Sequence, residues 1–152
     1  MDVSNMYHSA RHLYKKKVNF NEVLKTAVAG RKLIRAIAYV VKAETELEQG
    51  FFEALEGSGF EVKAKDLQIF WGGQKKGDWD VGITVDMIKM GPKLEGIVLI
   101  SGDGDFQPLL EYLKSLGHRV ELIAFGKSAS KKLTQEADDY IDLDRAAKRH
   151  LI

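Results

Sequence analysis

From residue 33 onward, short apolar runs rich in β-branched residues alternate with stretches whose apolar residues recur at helical spacing. Residues 33–42 (LIRAIAYVVK) read as a buried strand. Residues 44–55 follow with Leu47, Phe51, Phe52 and Leu55 on one helical face. Thr45 and Glu48 are spaced for a capping box, and Gly57 and Gly59 stop the helix. Phe60, Val62 and Ala64 then alternate with charged residues, which predicts a half-buried strand continuing raggedly through Leu67, Ile69 and Phe70. Gly72, Gly73 and Gly77 mark a loop. Beyond it Asp78 or Asp80 caps a helix to about Met90, with Val81, Val85 and Ile88 as its inner face and Gly91-Pro92 as its stop.

The clearest strand is residues 96–100 (GIVLI), an unbroken apolar run suited to the middle of a parallel sheet. After SGDGDF come a helix over 107–116 stopped by Gly117, a strand over 120–125, a helix over 128–137, a short strand over 140–143 and a basic C-terminal turn. Strands alternating with helices predict an α/β fold, a mainly parallel sheet covered on both faces with right-handed crossovers. Such sheets bind ligands beyond the C-terminal ends of their strands. At 152 residues, with no internal repeat or linker, the chain is expected to form one domain over 1–152.

Composition narrows the setting. The chain is 45% hydrophobic and 30% charged, as an ordinary globule is. It has no cysteine, which removes disulfides, thiolate metal sites and cysteine nucleophiles together and suits a reducing compartment. No apolar run approaches the ~20 residues of a membrane helix, and the N-terminus lacks a basic-then-apolar signal region. A cytoplasmic location away from membranes is the expectation. A net charge of +1 neither announces nor excludes a nucleic-acid partner. Basic pairs such as Lys75-Lys76 and Lys131-Lys132 are, each alone, ordinary solvated positions.

Carboxylates are distributed less evenly. Asp103 and Asp105 immediately follow the GIVLI strand, Asp2 and Asn5 lie at the chain start, and Asp78 and Asp80 open the helix leading to that strand, with Asp86 further in. The predicted architecture brings Asp2, Asp103 and Asp105 to one sheet edge, and a helix N-terminus carries Asp80 there. Four converging carboxylates repel one another. A hard cation, Mg²⁺ or Mn²⁺, which prefers oxygen ligands, relieves that repulsion. Taken singly, each has an ordinary explanation: a chain terminus for Asp2, a helix cap for Asp78 or Asp80, turn chemistry for Asp103 and Asp105, a solvent-facing position for Asp86. Jointly, capping and turns account poorly for three acidic groups at strand ends. Histidine offers less. His8 and His12 stand at i, i+4 without a third ligand and read as surface residues, and His118 and His150 have no partner in sequence.

These residues resemble the NYN domain, a branch of the PIN-like nucleases, and in particular its LabA-like members. The resemblance rests on Asp2 and Asn5, on Lys76, Gly77, Asp80 and Val81 with Asp86 downstream, and on Ser101 to Phe106 followed by Pro108-Leu109. GHRVELIAF and the closing Leu133, Ala137-Asp138, Tyr140-Ile141 pattern extend it. It implies a three-layer α/β/α PIN-like fold, an acidic Mg²⁺ or Mn²⁺ site and hydrolysis of RNA phosphodiesters. Carried over residue by residue, the catalytic acids are Asp2, Asp80, Asp103 and Asp105, with Asp2, Asp80 and Asp103 as metal ligands. Asn5 and Ser101 are polar supports, and Asp86 is a supporting or structural group. In the family the first aspartate closes an apolar strand of several residues. Here only Met1 precedes Asp2, so the resemblance implies a first strand truncated at the N-terminus.

Two readings of function stay open at this point. One is a metal-dependent ribonuclease. The other is a non-catalytic module of the same fold that binds RNA or a partner protein for regulation. A nucleotide-binding enzyme is disfavoured, because neither common phosphate-loop spacing occurs. For single-stranded RNA, Lys75 and Lys76 precede the acids as phosphate contacts and Trp79 is the stacking candidate, with Trp71 as readily a packing residue. Self-association into a homodimer is not decided by the sequence.

Overall fold

A computed structural model describes residues 1–42 and 48–152. The expected α/β architecture is present: parallel strands flanked on both faces by helices, forming three α/β/α layers. The elements are α1 (Val3–Tyr14), α2 (Phe20–Val28), β1 (Ile37–Lys42), α3 (Glu48–Gly57), β2 (Glu61–Asp66), β3 (Gln68–Ile69), β4 (Lys75–Lys76), α4 (Asp80–Met90), β5 (Ile97–Ile100), α5 (Gln107–Ser115), β6 (Val120–Ala124), α6 (Lys131–Glu136), β7 (Asp139–Asp142) and α7 (Ala147–His150).

β1 pairs with β2 in parallel, and β5, β6 and β7 pair in that order, also in parallel. Met1 and Asp2 join the two groups. Asp2 bridges Tyr39 in parallel register, its N–H donates to the Ile100 carbonyl at 3.0 Å, and the Tyr39 N–H donates to the Met1 carbonyl at 2.9 Å. The short hairpin β3–β4 is antiparallel and stands outside this sheet.

Alternation along the strands builds two cores. Ala38, Val40, Ile100 and Ile123 face α1, α2 and α3, where Met6, Val23, Leu24 and Leu55 are buried. Ile37, Tyr39, Leu99, Val120 and Leu122 face the other way, onto Ile83, Met87, Leu110, Leu113 and Leu133 of α4, α5 and α6. This period-two switch is what a sheet buried on both faces requires. Each fully buried Leu or Ile contributes about 1.5–3 kcal/mol by leaving water. Leu122→Ala would cost about 2–5 kcal/mol, because the packed surroundings cannot close the void.

Several expectations are corrected. The strand expected over 33–42 begins only at Ile37. The helix expected over 128–137 is confined to Lys131–Glu136. The alternation that starts at residue 33 predicts no element before it, yet two helices form there. Asp2 caps α1 by accepting the Asn5 N–H at 3.1 Å, and Asn19 caps α2 by accepting the Glu22 N–H at 3.3 Å. Phe20, Val23, Leu24 and Ala27 form the buried stripe of α2 at i, i+3, i+4, i+7. The inner face of α4 is Ile83 and Met87, not Val81, Val85 and Ile88, which are exposed. Both stripes are apolar at helical spacing, so hydrophobicity alone could not choose between them. The expected capping pair Thr45 and Glu48 lies outside the residues whose side chains are described. No helix among the described residues is long and apolar enough to cross a membrane.

Candidate metal centre

The C-terminal end of β5 is where the acids meet. Leaving Ile100, the chain enters Ser101 and Gly102, both buried, and then a 3-10 turn, Gly104–Phe106, that leads into α5. Asp103 caps that turn by accepting the Asp105 N–H at 2.9 Å. Gly102 is required by close approach: a Cβ there would lie 3.0 Å from the Ala129 Cα, where Ser130 N–H bonds the Gly102 carbonyl. The Gly102 N–H donates to the Asn5 side-chain oxygen at 2.8 Å. The acidic loop is thereby tied to α1 on one side and to the loop before α6 on the other.

α4 delivers the next acid. Asp80 is its first residue, and the preceding turn is closed by the Asp80 N–H donating to the Asp78 carboxylate at 3.3 Å. Trp79 sets how this helix start lies on the sheet. Its indole N–H donates to the Val40 carbonyl at 2.8 Å, and its ring lies 5.3 Å from that of Tyr39. Gly82 makes room for it, since a Cβ there would stand 2.5 Å from the indole.

Asp80, Asp103 and Asp105 each offer a carboxylate oxygen within 4.8 Å of the others. Ligands at ~2.0–2.6 Å from a hard cation lie at most ~4–5 Å apart across it. These three acids therefore need only small side-chain adjustments to share one ion, and their all-oxygen chemistry fits Mg²⁺, Mn²⁺ or Ca²⁺ rather than zinc. No histidine belongs to this group.

Asp2 stands behind the three. It is 8% exposed, and its oxygens accept the Asn5 N–H and, at 3.1 Å, the Ser101 hydroxyl. Burial raises its pKa and the nearby Asp103 charge adds to this, while the Asn5 and Ser101 hydrogen bonds oppose it. The Asp80 pKa is pushed up to about 6. Burial is the largest cause, followed by the carboxylates of Asp103, Asp78, Asp2 and Asp105, all acting in the same direction. The pocket is thus a concentration of negative charge held apart by fixed backbone, which a divalent cation would neutralise.

The other expected residues fall in different places. Asp86 accepts hydrogen bonds from Lys63 at 2.6 Å and from the Tyr39 hydroxyl at 2.8 Å. Burial would raise its pKa, but these two bonds outweigh that and lower it. Lys75 and Lys76 are exposed on β4, just before the Asp80 helix start, and no ion pair engages either among the described residues. Trp79 is half-buried, with Tyr39 and Gly82 against its ring and the Lys65 ammonium 4.8 Å from the ring centre. It is chiefly a packing residue. Trp71, at the tip of the β3–β4 hairpin, is the fully exposed ring beside the lysines. The sequence ranks the two the other way, because a glycine early in α4 gives no hint of the indole lying over it. His8 and His12 are exposed, as surface residues are.

Comparison with known proteins identifies the family. The NYN domain family matches residues 1–144, a span containing every acid named above. The low amplitude and bright protein LabA of Synechococcus elongatus is 28% identical over 119 residues, covering 74% of this chain and 64% of that protein. The chain therefore spans less than two thirds of that relative's length. A crystal structure of a protein of unknown function from Vibrio parahaemolyticus is similar at a TM-score of 0.90 and 32% identity, covering 99% of this chain and 92% of that one. With the family match running through both the fold and the acidic cluster, the chain belongs to the NYN domain family.

Proposed function

We propose that the protein is a metal-dependent ribonuclease that hydrolyses phosphodiesters of single-stranded RNA, working in the cytoplasm. The observation that carries this reading is the convergence of Asp80, Asp103 and Asp105 at the C-terminal sheet edge of a chain from a nuclease-like family. Asp80, Asp103 and Asp105 would hold Mg²⁺ or Mn²⁺, with Asp2 reaching the ion directly or through water. Bound there, such an ion supplies charge neutralisation at the phosphate and a lowered pKa for an attacking water.

The chain's own groups do the rest. Ser101 and Asn5 fix Asp2, and the Ser101 oxygen also accepts the Asp103 N–H at 3.2 Å, so one hydroxyl orients two acids. Burial and the neighbouring carboxylates push the Asp80 pKa up to about 6 in the metal-free protein, which supports a role for it in exchanging a proton with the attacking water. In-line attack then releases a 3′-hydroxyl and a 5′-phosphate. Lys75 and Lys76 grip the phosphates and Trp71 stacks a base. Trp79 acts by holding the Asp80 helix in place.

The test is cleavage of end-labelled single-stranded RNA with Mn²⁺, with chelator, and with Asp103→Asn. Cleavage by the wild type in Mn²⁺ alone, absent in chelator and in the variant, supports the ribonuclease. RNA binding without turnover under every condition would instead favour a non-catalytic regulatory module.

A further inference from the structure

The second apolar stripe of α4, Val81, Val85 and Ile88, faces outward, and Val81 is 75% exposed. Its neighbour α5 widens that stripe into a face. Asp86 turns one flank of α4 toward Lys63 of β2. At about 100° per residue, Thr84 and Ile88 lie on the opposite flank, the side on which Asp80 meets Asp103 and Asp105 ahead of α5. On α5, Gln107 and Lys114 bond Glu136 of α6, which leaves Tyr112 and Leu116, both exposed, on the flank toward α4. The end of α4 closes against α5, since a Cβ on Gly91 would stand 3.7 Å from the Leu113 side chain. Val81, Val85, Ile88, Tyr112 and Leu116 thus form one apolar surface across two helices, of the kind that marks an interaction site.

The order of charges along this face indicates what covers it. Exposed residues run from Asp78 through Val81, Val85 and Ile88 to Lys89 and, past the Gly91-Pro92 turn, Lys93. The row is acidic at one end, apolar in the middle and basic at the other. Among the described residues no ion pair engages Asp78, Lys89 or Lys93. Such a row is complementary to itself reversed. Turned about a two-fold axis at Val85, a second copy sets Val85 on Val85, Val81 against Ile88 and Asp78 beside Lys93, as an isologous contact requires.

We infer that the α4–α5 face is the interface of a symmetric homodimer, built on antiparallel contact between α4 and the α4 of a second copy. An unrelated protein would need a matching row of acid, apolar and basic groups, whereas a second copy already carries it. Tyr112 and Leu116 flank the central contact and extend the apolar area to both sides of it. The two acidic centres, each at the start of an α4 helix, then lie at opposite ends of the interface.

The chain has no cysteine, so a single introduced one can link only to its copy in another chain. Under mild oxidation Val85→Cys, at the axis, should form a disulfide-linked dimer at least tenfold faster than Glu56→Cys on the exposed side of α3, because the bond needs Cβ atoms within ~4.5 Å of each other. Val81→Cys and Ile88→Cys should each link poorly alone and readily when mixed. In sedimentation velocity the wild type should pass from monomer to dimer as its concentration rises. Val85→Glu should move that transition at least tenfold higher in concentration, while melting with the wild type when both are dilute. A wild type that stays monomeric at every concentration, or Val85→Cys linking no faster than Glu56→Cys, would overturn the dimer. A mixed pair that links no better than either variant alone would overturn its antiparallel register. None of these readouts involves metal or RNA, so they stand apart from the ribonuclease reading.

Discussion

Ser101 donates its hydroxyl to the Asp2 carboxylate at 3.1 Å, joining the end of β5 to the first residues of the chain. Ser101 is fully buried and its oxygen also accepts the Asp103 N–H. Ser101→Ala would leave an oxygen of Asp2 and the Asp103 amide without their partner. It should cost about 1–3 kcal/mol of stability, read by urea denaturation, and should weaken the stabilisation that Mn²⁺ confers on the wild type.

Asp80 gives the stability of the protein a pH signature. Its pKa rises from 3.8 to about 6 on folding, so between those values the folded chain binds more protons than the unfolded one. Stability therefore falls as pH rises through that window and levels off above it. Asp80→Asn removes this contribution. The variant should melt higher than the wild type at pH 7.5 and equally at pH 4, both metal-free. The reverse order at pH 7.5 would place Asp80 outside the repulsive cluster.

Asp86 separates support of the fold from support of the ion. Its contacts are Lys63 and Tyr39, not the acidic loop. Asp86→Asn should lower stability by about 1 kcal/mol, the scale of a partly exposed pair, and leave the Mn²⁺-induced rise in Tm intact. A lost metal response would mean that Asp86 orients the centre.

What the sequence made legible was the sheet and the acidic loop. The GIVLI run is the clearest strand signal in the chain, and SGDGDF carries good turn chemistry directly after it. The N-terminal helices are equally written, in Asn19 and the Phe20, Val23, Leu24, Ala27 stripe, but the strand-like runs further along are the stronger signal. The phase of α4 was not legible, because Val81, Val85 and Ile88 are as apolar as Ile83 and Met87. It is settled by contacts distant in sequence: the Trp79 indole on the Val40 carbonyl, and the core that Ile83 and Met87 share with Ile37, Tyr39 and Leu99. The same long-range bond decides that Trp79 is packed and Trp71 is free.

The two tryptophans should part in experiment. Trp79→Ala loses ring packing and a hydrogen bond and should cost about 2–4 kcal/mol of stability. Trp71→Ala should leave stability within about 0.5 kcal/mol and weaken single-stranded RNA binding by about 1–3 kcal/mol. Lys75→Ala with Lys76→Ala should flatten the salt dependence of binding, by a slope of about 0.7 for each phosphate that is no longer neutralised. Wild-type RNA binding by both Trp71→Ala and the double lysine variant would move the RNA to another face, past Lys131 and Lys132.

Calorimetric titration with Mn²⁺ tests the acidic centre most directly, using the wild type, Asp103→Asn and, as a control on an exposed helix position, Glu56→Gln. The wild type and Glu56→Gln should bind Mn²⁺ alike, and Asp103→Asn should bind at least tenfold more weakly. Equal binding by all three proteins would contradict the metal centre.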